Sequence, residues 1–248
     1  MKTVIITGGT KGIGADLARG FLNADWQVLI GARTKSGLPK EIPKNLKFQE
    51  MDVRVESDHQ ALVKIALDWS GSLECYINCA GFSRWSPLED VDEKFWNEML
   101  DINLKGTFWG CKAAAQHLSS SGSIINFSSL AGKRGSANNA VYCASKFGVT
   151  GLTQALGKEL GPKGIRVNAV CPVYIKTSGL VEALENPHGP SGGQETFEYL
   201  DEFAKANAAL QRLPEGSEVA DLCLYLASSG ASAITGQCIN VDCGVLPQ

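Results

Sequence analysis

Short β-branched runs alternate with longer amphipathic stretches along this chain, a pattern that predicts repeated strand-helix units and a parallel sheet. The runs Thr3 to Thr7, Gln27 to Gly31, Leu46 to Met51, Leu73 to Asn78, Ser123 to Ser128, Arg166 to Cys171 and Gln237 to Val241 read as seven strands. Helices are expected between them over 12 to 24, 56 to 69, 93 to 117, 141 to 160 and 217 to 228. Residues 178 to 212 break this rhythm, because Glu185 to Gln194 carries two prolines and three glycines between two possible short helices. A segment of that kind in an α/β domain is expected to be a lid or substrate loop. No internal repeat, charge block or linker divides the 248 residues, so one domain spanning 1–248 is expected.

Composition narrows the function. With 44% hydrophobic and 20% charged residues the chain is ordinary for a soluble globular protein, and a net charge of −3 offers nothing to attract nucleic acid. The first apolar run is too short for a secretory segment and no stretch approaches a membrane span, so a cytoplasmic protein without membrane contact is expected. Eight cysteines in so long a chain read as reduced thiols. Cys75 and Cys79, and Cys238 and Cys243, are the close pairs; neither they nor the scattered His59, His117 and His188 complete a metal site, and no metal is expected.

The first strand leads into Thr7-Gly8-Gly9-Thr10-Lys11-Gly12-Ile13-Gly14 and then into an amphipathic helix. Glycines there permit a tight turn and close approach to a pyrophosphate, while the helix N-terminus offers unpaired N–H groups. The spacing is Gly-x3-Gly-x-Gly. Asp52-Val53, Asn78-Cys79-Ala80-Gly81, Asn103, Ser129, Tyr142-Cys-Ala-Ser-Lys146 and Pro172-Val-Tyr-Ile175-Lys-Thr177 follow in order. With these motifs the chain resembles the short-chain dehydrogenase/reductase family in its standard single-domain form, over essentially its whole length. The resemblance implies a seven-stranded, parallel, doubly wound Rossmann sheet with helices on both faces, and interconversion of alcohols and carbonyls with NAD(H) or NADP(H).

Hydride transfer to a ketone leaves an alkoxide that needs a proton, so an acid must stand beside the nicotinamide. A phenol with a pKa of about 10 is poorly matched to neutral pH, and a cation about 4 Å away would lower it by about three units. Lys146 follows Tyr142 by one helical turn, as such a pairing requires. The resemblance implies the same roles: Tyr142 as general acid/base, Lys146 lowering its pKa and binding the nicotinamide ribose, Ser129 on the substrate oxygen, and Asn103 holding a water that joins the lysine to solvent.

Ala32 occupies the usual acidic position after the second strand, with Arg33 next and Lys11 in the glycine loop, so NADP(H) is expected in preference to NAD(H). The family implies that Gly8, Thr10, Lys11, Gly12, Ile13 and Gly14 cradle the phosphates and that Asp52 and Val53 flank the adenine. It likewise implies that Asn78, Ala80 and Gly81 pass under the ribose and that Ile175 and Thr177 hold the carboxamide. Cys79, Val173 and Cys243 depart from the family's usual Asn, Gly and Gly; Val173 places a β-branched side chain where the backbone passes the nicotinamide.

A pocket lined by 82 to 85, 133 to 139, Val173, Tyr174 and 178 to 212 mixes polar and aromatic groups, which leans toward a small hydroxylated carbonyl substrate such as a sugar, polyol or keto acid. Arg84, Lys133 and Arg134 are candidate carboxylate or phosphate clamps, and Asn138 and Asn139 candidate polyol partners. The alternatives are an NAD-dependent dehydrogenase of a hydrophobic ketone, a catalytically silent dinucleotide-binding regulator, which has no need of Tyr142 and Lys146, and a nucleotide-sugar epimerase, for which the glycine spacing is wrong. Family members assemble through the two long helices after the fourth and fifth strands, so a homo-oligomer, tetramer or dimer, is expected.

Overall fold

The computed structural model describes residues 1–247. Strand β1 (Thr3–Thr7) is buried along its whole length and leads through the glycine turn into α1 (Gly12–Asn23). There follow β2 (Gln27–Ala32), β3 (Leu46–Glu50), α2 (Glu56–Ser70) and β4 (Cys75–Asn78). Helix α3 (Glu93–Leu100) passes through a π-helical turn, Asp101–Lys105, into α4 (Gly106–Ala115). The second half runs β5 (Ser123–Phe127), α5 (Ala140–Leu160), β6 (Arg166–Pro172), α6 (Ser178–Leu184), α7 (Thr196–Asn207), α8 (Gly216–Leu226) and β7 (Cys238–Val241).

All pairings are parallel and the sheet order is β3-β2-β1-β4-β5-β6-β7, with Ile5 opposite Leu29 on one side and Tyr76 on the other. Parallel central strands are covered on both faces, which is why β1, β4, β5 and β6 read as nearly continuous apolar runs. On one face Leu17 and Phe21 of α1 and Val219 and Leu226 of α8 pack on Val4, Ile6, Val28, Ile77 and Val170. On the other, Leu62 and Ala66 of α2, Cys111 and Ala114 of α4 and Leu160 of α5 cover Ile5, Leu29, Tyr76 and Ile124. Strand order reverses between β1 and β4, and at such a switch point the carboxyl ends diverge to leave a crevice.

The single helix expected over 93–117 is interrupted, because the turn at Asp101–Lys105 is π-helical. Its extra residue per turn brings Asn103 to the interior, where it is 1% exposed; such insertions recur beside functional sites. The 178–212 segment does contain two helices. They close over a satellite core in which Trp85, Leu184, Leu200, Ala204 and Leu213 meet. Among the described residues no helix is long and apolar enough to cross a membrane.

Candidate active site

A cleft of about 1280 Å³ opens at the carboxyl ends of the strands, lined from Gly8 and Lys11 at one end to Tyr174 and Phe203 at the other. Its floor is the glycine turn. Gly8, with φ +72°, donates its N–H to Gly31 O at 2.8 Å, and Gly12 has φ +56°. A Cβ on Gly14 would stand 2.2 Å from the Gly8 carbonyl oxygen, so only glycine lets α1 start this close to the turn. No side chain caps the N-terminus of α1 and no acidic residue stands in its first turn. That leaves an electropositive helix end facing the cleft, with Lys11 and Arg33 on the same wall, and the residues present fit a dinucleotide phosphate.

Thr10, Ile13, Asp52, Val53, Ala80, Gly81, Ile175 and Thr177 also line this cleft. Asp52 is held below the usual carboxylate range by hydrogen bonds from Arg54, whose Nε lies 3.0 Å from Oδ1. Asn78 is not on the wall. At the end of β4 its side chain turns inward, donating to Asn126 Oδ1 at 2.9 Å, and its own Oδ1 is buried without a partner. Asn103 likewise stands behind the wall: its amide donates to Phe82 O at 2.9 Å and accepts from Phe82 N at 3.0 Å, clamping the chain after Gly81. The side chains of these two asparagines therefore brace the cleft from within.

Ser129, Tyr142 and Lys146 come together at the centre. Ser129 leaves the end of β5 and accepts from Ala131 N at 3.1 Å, which fixes the turn that presents its hydroxyl. Tyr142 and Lys146 share one face of α5. Lys146 is 5% exposed, and its ammonium donates to Phe127 O at 2.8 Å and sits 5.7 Å from the centroid of the Tyr142 ring. Burial lowers its pKa from 10.5 to about 8. The Tyr142 phenol moves opposite to the sequence reading. Burial pushes it up to about 12, and Ser129 only partly offsets this. The Lys146 ammonium, which donates to the β5 carbonyl and stands 5.7 Å from the ring centroid, does not offset that burial. A phenol held up in this way is fully protonated at pH 7, the form a reductase needs in its acid.

Trp85, Val173, Tyr174 and Phe203 line the far end of the cleft. Tyr174 packs edge-on to Phe203, ring centroids 4.9 Å apart. Of the candidate cations, Arg84 lines the cleft but pairs with Glu98 at 2.9 Å and stacks on Phe95, while Lys133 donates to Cys238 O at 2.6 Å. Arg134 lines the cleft and forms no ion pair among the described residues. Asn138 is committed to His188 O at 3.2 Å, whereas Asn139, on the wall, has a buried Oδ1 without a partner. Cys243 adopts φ 52°, which accounts for a glycine being usual there.

The family model described as "Enoyl-(Acyl carrier protein) reductase" matches residues 8–246. The chain belongs to the short-chain dehydrogenase/reductase family. A protein of Streptomyces virginiae that carries the name of a monensin polyketide synthase ketoacyl reductase is 37% identical, over 99% of this chain and 97% of its own. The solved structures of an actinorhodin polyketide ketoreductase variant with NADPH and of Thermoplasma acidophilum aldohexose dehydrogenase without ligand both superpose with TM-score 0.88. They are 31% and 30% identical, over 98% of this chain and 97% and 93% of theirs. As a member of this family the chain is an oxidoreductase of the carbonyl/alcohol class that works with a nicotinamide dinucleotide. His59, read from the sequence only as a histidine without ligand-like spacing, has its Nε2 2.9 Å from the Val53 carbonyl oxygen behind the cleft wall.

Proposed function

We propose that this protein is an NADPH-dependent ketoreductase whose substrate is the ketone of a 3-oxoacyl group, with Tyr142 as the acid. The observation that carries the substrate class is the far wall of the cleft, where Trp85, Val173, Tyr174 and Phe203 offer apolar and aromatic surface. The relatives named as ketoacyl reductases support the same reading, and the NADPH in the actinorhodin ketoreductase structure supports the cofactor. Arg33 and Lys11, with no carboxylate at Ala32, suit a 2′-phosphate.

The glycine turn, Lys11 and Arg33 would hold NADPH, which would supply a hydride for the carbonyl carbon. Ser129 and Tyr142 hydrogen-bond the carbonyl oxygen, and the phenol passes its proton to that oxygen as negative charge develops there. The protonated Lys146 stabilises the resulting phenolate, which regains a proton from solvent. Hydride and proton together make the secondary alcohol. Asn103 contributes by holding Phe82 and the Gly81 backbone in place, and Asn78 by bracing β4 against β5. The chain acts as one catalytic domain with the 178–212 segment as its substrate wall. Phe108 and Phe147 stand exposed on α4 and α5, which supports a homo-oligomer assembled through these helices.

A second reading, a sugar or polyol, is favoured by the unpartnered Asn139 Oδ1 and by the likeness to the aldohexose dehydrogenase. Absorbance at 340 nm separates the two, with NADPH offered against a 3-oxoacyl thioester and NADP+ against aldohexoses and polyols. Turnover of the thioester with none of the sugars is expected. Turnover of the sugars alone would replace the ketoacyl reading with the second one.

A further inference from the structure

The wall formed by Asp52 and Val53 rests on a buried pair that the reaction does not use. His59 on α2 and Tyr76 on β4 are both 0% exposed. Tyr76 Oη lies 2.8 Å from His59 Nδ1, and His59 Nε2 lies 2.9 Å from the Val53 carbonyl oxygen. A carbonyl only accepts, so Nε2 carries the proton; Nδ1 is then an acceptor, and the Tyr76 hydroxyl donates to it. Burial holds the imidazole pKa below its ordinary value, in keeping with this neutral tautomer. From the other side Val53 is closed in by Gly106 at the start of α4, where an added Cβ would stand 3.0 Å from both Val53 O and Val53 Cγ2.

The amides around Val53 are engaged: Asp52 N donates to Asp58 Oδ2 at 2.9 Å, Arg54 N to Asp52 Oδ1 at 3.0 Å and Val55 N to Asp52 O at 3.0 Å. The Val53 N–H has no partner among the described residues, on a residue that lines the cleft.

We propose that His59 is a positioning residue for the adenine half of the dinucleotide: Tyr76 sets its tautomer, its Nε2–H holds the Val53 carbonyl, and the Val53 peptide is thereby fixed to receive an adenine edge nitrogen. This rests on the dinucleotide reading above. A buried carbonyl left without its donor would release that peptide, and only the adenosine end of the ligand would register the loss.

The test is calorimetric titration of NADPH and of adenosine 2′,5′-bisphosphate into the wild type, His59→Leu, His59→Gln and Tyr76→Phe, with steady-state KM and kcat beside them. His59→Leu is expected to weaken both ligands by about 10-fold and to raise the NADPH KM with kcat at saturation unchanged. His59→Gln, whose amide N–H can still reach the carbonyl, is expected to recover to within about 3-fold, and Tyr76→Phe to fall between. Should His59→Leu not fold, the order of the wild type, His59→Gln and Tyr76→Phe carries the result. Unchanged affinities overturn the proposal, as does weakening of NADPH without weakening of the bisphosphate, or a kcat that falls in step. A wild type that binds neither ligand overturns the dinucleotide reading itself.

Discussion

Replacing Lys146 by Met should make the protein more stable while abolishing its chemistry. The ammonium is buried, and its pKa falls from the ordinary 10.5 to about 8. At about 1.36 kcal/mol per pH unit, a displacement of this size means that folding disfavours the charged lysine by roughly 3 kcal/mol. Methionine removes the charge and keeps most of the volume, but forfeits the hydrogen bond to Phe127 O, worth about 1 kcal/mol. The variant should therefore gain roughly 2 kcal/mol at pH 7. The folded pKa lies below the unfolded one, so between the two the unfolded state binds more protons and wild-type stability rises with pH. The burial cost is complete below about pH 8 and gone above 10.5, so the advantage of the variant should shrink through that window. Urea unfolding of both proteins at pH 7 and pH 10, at one fixed subunit concentration, measures the gap. No gain at pH 7, or a gap that does not narrow at pH 10, would refute the reasoning.

Gly14→Ala drives a Cβ to 2.2 Å from a backbone oxygen that has nowhere to move, and should cost about 3 kcal/mol and abolish NADPH binding. Gly151→Ala, in open space on α5, should instead stabilise by about 0.5–1 kcal/mol; thermal melts and titration of both variants check the contrast. Arg33→Ala should raise the KM for NADPH by about 10- to 100-fold while moving that for NADH by less than about 3-fold, as paired initial-rate measurements would show. Equal effects on the two would remove Arg33 from the 2′-phosphate.

Much of the architecture was legible because a parallel sheet writes itself as apolar runs: the observed strands begin and end within two residues of those expected, since each is bounded by turn residues or charge. The glycine turn was legible for the same local reason, as a backbone that approaches itself at Gly8 and Gly14 tolerates no side chain. What distant groups decide was not. The π-turn at Asp101–Lys105 leaves no mark in the hydrophobic period, because α3 and α4 continue its line. Arg84 reads as a free cation until Glu98, fourteen positions on, is seen beside it. The raised Tyr142 pKa depends on how far the site is desolvated, and the direction of the Lys146 ammonium on where the Phe127 carbonyl ends. His59 did carry a signal. It opens the buried stripe of α2 with Leu62, Val63 and Ala66, at a spacing that places an imidazole in an apolar interior where both nitrogens need partners.

The central claim is that Tyr142 protonates a carbonyl oxygen in a cleft that binds NADPH. Its most direct test is Tyr142→Phe, with NADPH affinity measured by titration and turnover followed at 340 nm on the carbonyl that the wild type reduces best. The account predicts an affinity within about 3-fold of wild type and a kcat lower by about 10²- to 10⁴-fold, the range for loss of a positioned acid. A kcat within about 10-fold of wild type would contradict it, since the proton would then come from elsewhere.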